Sequence, residues 1–151
     1  MPYRGNQENV TTFSRTYPSH PNSIRAARRA LGAFLKRSGC PAGDQFDICL
    51  AAAEAVANAI EHGHVPGGEV SVECLCDHDI TVTVKDEGGG MRAKTWQRVL
   101  IKTSTGGYGL LMMRGLMDDV KVDINDDCGA TVVMHKRCAW IRPSTFAQTA
   151  R

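Results

Sequence analysis

The period of the hydrophobic positions changes several times along the chain, and each change marks a predicted element. Residues 10–17 alternate polar and larger side chains in the manner of an edge strand, which Pro18 and Pro21 bring to an end. Ile24, Ala27, Leu31, Phe34 and Leu35 then recur at helical spacing. They predict a helix over 23–38 that Ser23 can cap, with Arg25, Arg28, Arg29, Lys36 and Arg37 on its solvated side. Gly39 and Pro41 stop it. A second helix is predicted over 44–61, starting at Asp44. Phe46, Ile48, Leu50, Ala55, Val56, Ala59 and Ile60 supply its buried side, and its alanine content suits close packing.

Beyond the loop carrying Gly63, Pro66, Gly67 and Gly68, the period falls to two. Val70, Val72, Cys74 and Cys76 make one strand and Ile80, Val82 and Val84 the next, with Asp77, His78 and Asp79 as the hairpin turn. From 88 to 107 periodicity fades, apart from a short helical stretch at 96–100, and glycine, lysine and threonine dominate, so the segment reads as a loop. A helix over 110–117 and strands over 120–124 and 130–137, joined by a turn at 126–129, complete the pattern. Three helices and about five strands, each with one wetter face, predict an α/β (α+β) two-layer sandwich. Its sheet is expected to be mixed, mostly antiparallel, and covered on one face by helices.

Composition narrows this to one compact domain. A chain of 151 residues that is 42% hydrophobic supports a single core, here assigned to 10–140, between a flexible N-terminus at 1–9 and a tail at 141–151. The net charge of +2 is spread along the length, without the cationic stripe of a nucleic-acid binder, so no direct nucleic-acid contact is expected. No apolar run approaches the roughly 20 residues that span a bilayer, and the N-terminus is polar; a soluble, cytoplasmic protein without membrane association is expected. Six cysteines at irregular spacing match no paired C-x-x-C pattern and read as small buried apolar residues rather than zinc ligands or disulfides.

Three places carry chemistry. Glu54, Asn58 and His62 follow at four-residue steps, stacking a carboxylate, an amide and an imidazole on one helical face. Taken alone, such a stripe reads first as a solvated face and second as an amide oxygen for a hard cation beside a carboxylate that positions or deprotonates a nucleophile. Asp86 ends a strand and leads into Gly88, Gly89 and Gly90, where backbone can approach a ligand closely; an ordinary acidic turn has the same look. Gly106, Gly107 and Gly109 precede an apolar helix, whose first turn offers free N–H groups and a positive dipole end to phosphate. Neither a Walker A loop nor a Rossmann fingerprint is present.

Taken together, Glu54-x-x-x-Asn58 resembles the N box, Asp86-x-Gly88-x-Gly90 the first glycine box and Gly107-x-Gly109 the second glycine box of the GHKL ATPase and kinase superfamily, in order and separation. Within it, residues 54–62 and 109–120 look like those of the stand-alone anti-sigma factor serine/threonine kinases of bacteria, and the resemblance covers 10–136. It implies a Bergerat-type fold, ATP and Mg2+ as ligands, and a homodimer that binds a sigma factor and phosphorylates an anti-anti-sigma (STAS-type) protein. It implies that Asp86 accepts from the adenine amino group with Gly90 beside the base, that Thr131 supports this contact through water, and that Asn58 holds magnesium. Glu54 becomes the general base, and Gly88, Gly107, Gly109 and Leu110 line the nucleotide pocket, with His62, Lys102 and Arg114 as candidate phosphate contacts. The segment between Gly90 and Gly106 is short for such a kinase's lid. The alternative is a non-catalytic, nucleotide-dependent protein-binding regulator of the same fold.

Overall fold

The structure, a computed structural model, describes residues 10–62, 67–86, 108–125 and 129–138. The elements run β1 (Thr11–Pro18), α1 (Asn22–Arg37), α2 (Ala42–His62), β2 (Glu69–Cys76), β3 (Asp79–Asp86), α3 (Tyr108–Leu116), β4 (Asp119–Asn125) and β5 (Gly129–Arg137). The strands form one sheet in the order β1-β2-β3-β5-β4. Every pairing among the described residues is antiparallel, so the expected mixed character is absent there. The stretches predicted at 1–9, 96–100 and 141–151 lie outside the described residues, as does Cys128.

Alternation sets the two faces of the sheet. On β3, Ile80, Val82, Val84 and Asp86 are buried, while Thr81, Thr83 and Lys85 turn to the opposite, wetter face. The β2–β3 turn is held by Asp77, whose Oδ1 accepts from the Asp79 N–H at 2.9 Å and whose own N–H donates to the Asp79 carbonyl at 3.1 Å. The helices cover the buried face. Leu31, Leu35 and Ile48 are each 0% exposed there, and burying side chains of this size contributes about 1.5–3 kcal/mol apiece. Among the described residues, no helix is long and apolar enough to cross a membrane.

The cap of α1 differs from expectation. Helix α1 begins at Asn22, which places Ser23 inside its first turn; the N-cap residue, Pro21, makes no side-chain cap bond, and the Asn22 N–H donates to His20 Nδ1 at 3.1 Å. The buried Ser23 hydroxyl instead donates to the Pro18 carbonyl at 2.6 Å, fastening the helix to the end of β1. The other end stops as predicted. Gly39, at φ +83°, and Cys40 donate to the carbonyls of Lys36 and Leu35 at 3.1 and 3.0 Å, the paired bonds of a left-handed helix terminus. The five arginines and lysines assigned to the solvated side of α1 are exposed.

Helix α2 starts two residues before Asp44, because the Pro41 carbonyl already accepts from the Gln45 N–H at 2.8 Å. Its small residues permit a close crossing with α1, where Gln45 Nε2 donates to the Gly32 carbonyl at 2.9 Å. Phe46 does not belong to the buried side and is 57% exposed. It stands two residues, about 200° of helical rotation, from Ile48 and borders a groove of about 520 Å³ shared with Arg25, Arg28 and Arg29. Leu50 is only half-buried. The five described cysteines are free and buried, as small apolar residues would be.

Candidate functional site

Helix α2 carries Glu54 and Asn58 one turn apart, both half-buried on the side that meets α3. A helix whose neighbouring inner positions include Ala51, Ala52, Ala55, Val56 and Ala59 has no packing use for a carboxylate and an amide at that depth. The neighbour that gives them a purpose is Gly109, in the first turn of α3. A Cβ added there would lie 3.1 Å from Glu54 Oε2, 3.2 Å from Asn58 Nδ2 and 3.5 Å from Asn58 Oδ1. Glycine therefore keeps open a small space bounded by a carboxylate, an amide and the first turn of a helix, where N–H groups lack intrahelical acceptors and the dipole end is positive. Two of the three sequence-predicted clusters thus meet in space.

Asp86 forms the third. At 2% exposure it continues the Ile80, Val82, Val84 series on the core face of β3 with a charged group, and carboxylates are rarely so buried without a specific task. Gly129 at the start of β5 backs onto it. Its φ of +82° suits glycine alone, and a Cβ there would lie 2.9 Å from the Asp86 carbonyl oxygen and 3.1 Å from its Oδ2. The sequence pattern does not single out Gly129 as part of the site. The signal was a glycine at a strand start, which also describes an ordinary turn.

The structure removes Thr131 from this cluster. Thr131 is paired with Lys85, and Val132 with Val84, so alternation puts Thr131 on the face of the sheet opposite to Asp86. Ala130, 3% exposed, is the β5 residue that shares the core face with Asp86. Leu110 contributes a 6% exposed side chain to the core, which leaves only its backbone to face a ligand. Arg114 is exposed in the last turn of α3, at the end away from Gly109. His62 is the last residue of α2 and its side chain is outside the described part, as are Gly88, Gly90, Lys102 and Gly107.

The donor set fits the group that the resemblance implies. The Asn58 amide oxygen is a hard ligand of the kind magnesium accepts, next to a carboxylate and beside a space that any side chain at 109 would fill.

Comparison with known proteins agrees with the fold. Residues 17–136 match the histidine kinase-like ATPase domain. The serine-protein kinase RsbW of Bacillus pumilus is 32% identical over 143 residues, covering 85% of this chain and 87% of the relative. The anti-sigma F factor of Clostridium novyi is 29% identical over 119 residues, covering 74% and 83%. Among solved structures, a Mycobacterium tuberculosis protein comprising RsbU and RsbW domains aligns with TM-score 0.67 at 22% identity, over 85% of this chain and 32% of its own length, and shares the fold. The chain belongs to the histidine kinase-like ATPase domain family, among relatives that include the anti-sigma factor kinases.

Proposed function

We propose that this chain binds ATP with magnesium, transfers the terminal phosphoryl group to a serine or threonine of an anti-anti-sigma partner, and holds a sigma factor when it is not so engaged. The observation that carries the reading is the approach of Gly109 to Glu54 and Asn58, which joins a cation ligand, a proton acceptor and a phosphate-facing helix terminus in one place. In this scheme Asp86 accepts a hydrogen bond from the adenine amino group and fixes the base. The first-turn N–H groups of α3 hold phosphate oxygens, and Asn58 presents its amide oxygen to magnesium. Magnesium, when bound, neutralises charge on the phosphates. Glu54 takes the proton of the incoming hydroxyl at its carboxylate, and the side chains around it orient that hydroxyl in line. Phosphoryl transfer asks mainly for positioning and charge neutralisation, which a cation ligand, a carboxylate and a helix terminus can supply. Relatives named as serine-protein kinases and as an anti-sigma F factor support both halves of the scheme.

The test is ATP titration with and without magnesium, followed by transfer from labelled ATP to a cognate partner. Asp86→Asn is expected to lose nucleotide binding, because a donor can then face the exocyclic amine. Asn58→Ala should lose the magnesium dependence, and Glu54→Ala should bind ATP yet transfer nothing. Wild-type protein that binds no nucleotide refutes the proposal. Protein that binds ATP, transfers nothing to any partner, and changes its affinity for sigma with nucleotide supports the non-catalytic regulator instead.

A further inference from the structure

Lys136 projects from β5 with its side chain 13% exposed, and an ammonium group buried to that degree needs acceptors or a counter-charge. It has both, on two different helices. Its Nζ donates at 2.5 Å to the carbonyl of Leu116, the last residue of α3, and stands 3.6 Å from Oδ2 of Asp47 on α2. The Leu116 carbonyl is one of those that a helix leaves unpaired at its C-terminus, the negative end of its dipole.

The two clamp points are placed symmetrically about the site. Asp47 precedes Glu54 by seven residues and Leu116 follows Gly109 by seven, so each lies about 10 Å along its helix from the place where the helices meet. Helices α2 and α3 therefore run antiparallel, touching at Glu54, Asn58 and Gly109 at one end and joined through Lys136 at the other. The turn after α3 is bound to the same stretch of β5. The Asp118 N–H donates to the His135 carbonyl at 2.9 Å, and Asp118 Oδ2 accepts from the Arg137 N–H at 2.6 Å.

We propose that Lys136 is a positioning residue, which fixes the far ends of α2 and α3 against the sheet and thereby sets the separation of Gly109 from Glu54 and Asn58. The assignment rests on the nucleotide-site reading above. A rigid helix transmits a displacement at one end to the other, and a misplacement of about 1 Å at a reacting centre can cost roughly a hundredfold.

Lys136→Met keeps most of the stem and removes the charge. Calorimetric titration with magnesium-ATP is expected to show affinity at least about tenfold weaker, with the circular dichroism of a folded chain. Phe13→Leu, which loosens the contact of β1 with α1, serves as a control of similar stability loss and should leave the affinity unchanged. Asp47→Asn, at a partly exposed side chain, removes one arm of the clamp and should weaken binding to an intermediate degree should Lys136→Met not fold. Wild-type affinity in Lys136→Met, or equal weakening in Phe13→Leu, overturns the proposal while leaving the nucleotide site standing. Amide hydrogen exchange gives a second readout that needs no nucleotide. Faster exchange at residues 112 and 113, whose N–H groups bond back to the first turn of α3, supports the clamp in Lys136→Met, and a change confined to 115–117 refutes it. Absence of ATP binding in the wild type, by contrast, removes the nucleotide reading alone.

Discussion

Replacing Gly109 by alanine separates a site from mere helix packing, because stability and binding should respond with opposite tendencies. Gly109 has no positive φ, so alanine is conformationally acceptable there. In an open helical position the exchange stabilises by about 0.8–1 kcal/mol, which raises Tm by roughly 2–4 °C in a domain of this size. Gly115 on the same helix supplies that reference, since a Cβ there meets nothing within 4 Å. At 109 the new methyl lies 3.1 Å from Glu54 Oε2 and 3.2 Å from Asn58 Nδ2, so both side-chain ends must give by a few tenths of an ångström. These are half-buried termini that can rotate, and the cost in the free protein is small. Thermal unfolding of Gly109→Ala should therefore fall between wild type and Gly115→Ala.

Binding should differ sharply. The rotation that accommodates the methyl takes the Asn58 oxygen and the Glu54 carboxylate away from where a cation and a hydroxyl need them. A loss of about tenfold in magnesium-ATP affinity, near 1.4 kcal/mol, is the expected outcome by titration calorimetry, with Gly115→Ala unchanged. Should Gly109→Ala bind magnesium-ATP as tightly as Gly115→Ala and wild type, Glu54, Asn58 and Gly109 are only a helix crossing and the proposed site is wrong.

Two further outcomes follow from the same geometry. Gly129→Ala combines a φ of +82° with a Cβ 2.9 Å from a backbone oxygen that cannot rotate away, so it should destabilise by about 1–3 kcal/mol; an unchanged Tm contradicts the strained turn against Asp86. At alkaline pH, burial first and the nearby Asp44 second push the Cys40 thiol from 9.0 up to about 11, and burial raises Cys138 as well. The unfolded chain then loses protons that the folded chain keeps, so stability is full below pH 9 and is lost as pH rises through about 11. The urea midpoint should fall across that window, less steeply in Cys40→Ala, and a flat wild-type profile refutes the burial argument.

Much of this architecture is legible in the sequence wherever one face of an element is buried and the other is not. Residues 70–86 alternate because β2 and β3 each lay one face on the core, and the pattern yields both strands to within about two residues. Helix ends are legible where a backbone conformation demands a residue type, as at Gly39, and illegible where it does not. Ser23 has the composition of a cap, yet Pro18 lies close enough in space to take its hydroxyl. Phe46 looks like core by residue type alone. Its exposure depends on where α1 crosses α2, which is information outside its own helix.

The site shows the same division more sharply. Glu54, Asn58 and Gly109 are recognisable from local spacing, because each belongs to a motif short enough to read along the chain. Thr131 is a matter of parity: one residue of register between β3 and β5 decides which face it occupies, and only the observed pairing with Lys85 settles that. Gly129 has the same parity as Thr131, and its φ of +82°, rather than the alternation, brings it against Asp86.

The insertion of β5 between β3 and β4 links these features. It sets the turn at Gly129 against the end of β3, which positions Asp86, and it carries Lys136 to the far end of the α2–α3 pair, which positions Glu54, Asn58 and Gly109. One strand thus governs both halves of the proposed nucleotide site from opposite ends. Errors in its register should accordingly impair adenine recognition and cation binding together, whereas substitutions on β1 or α1 should lower stability and leave both intact.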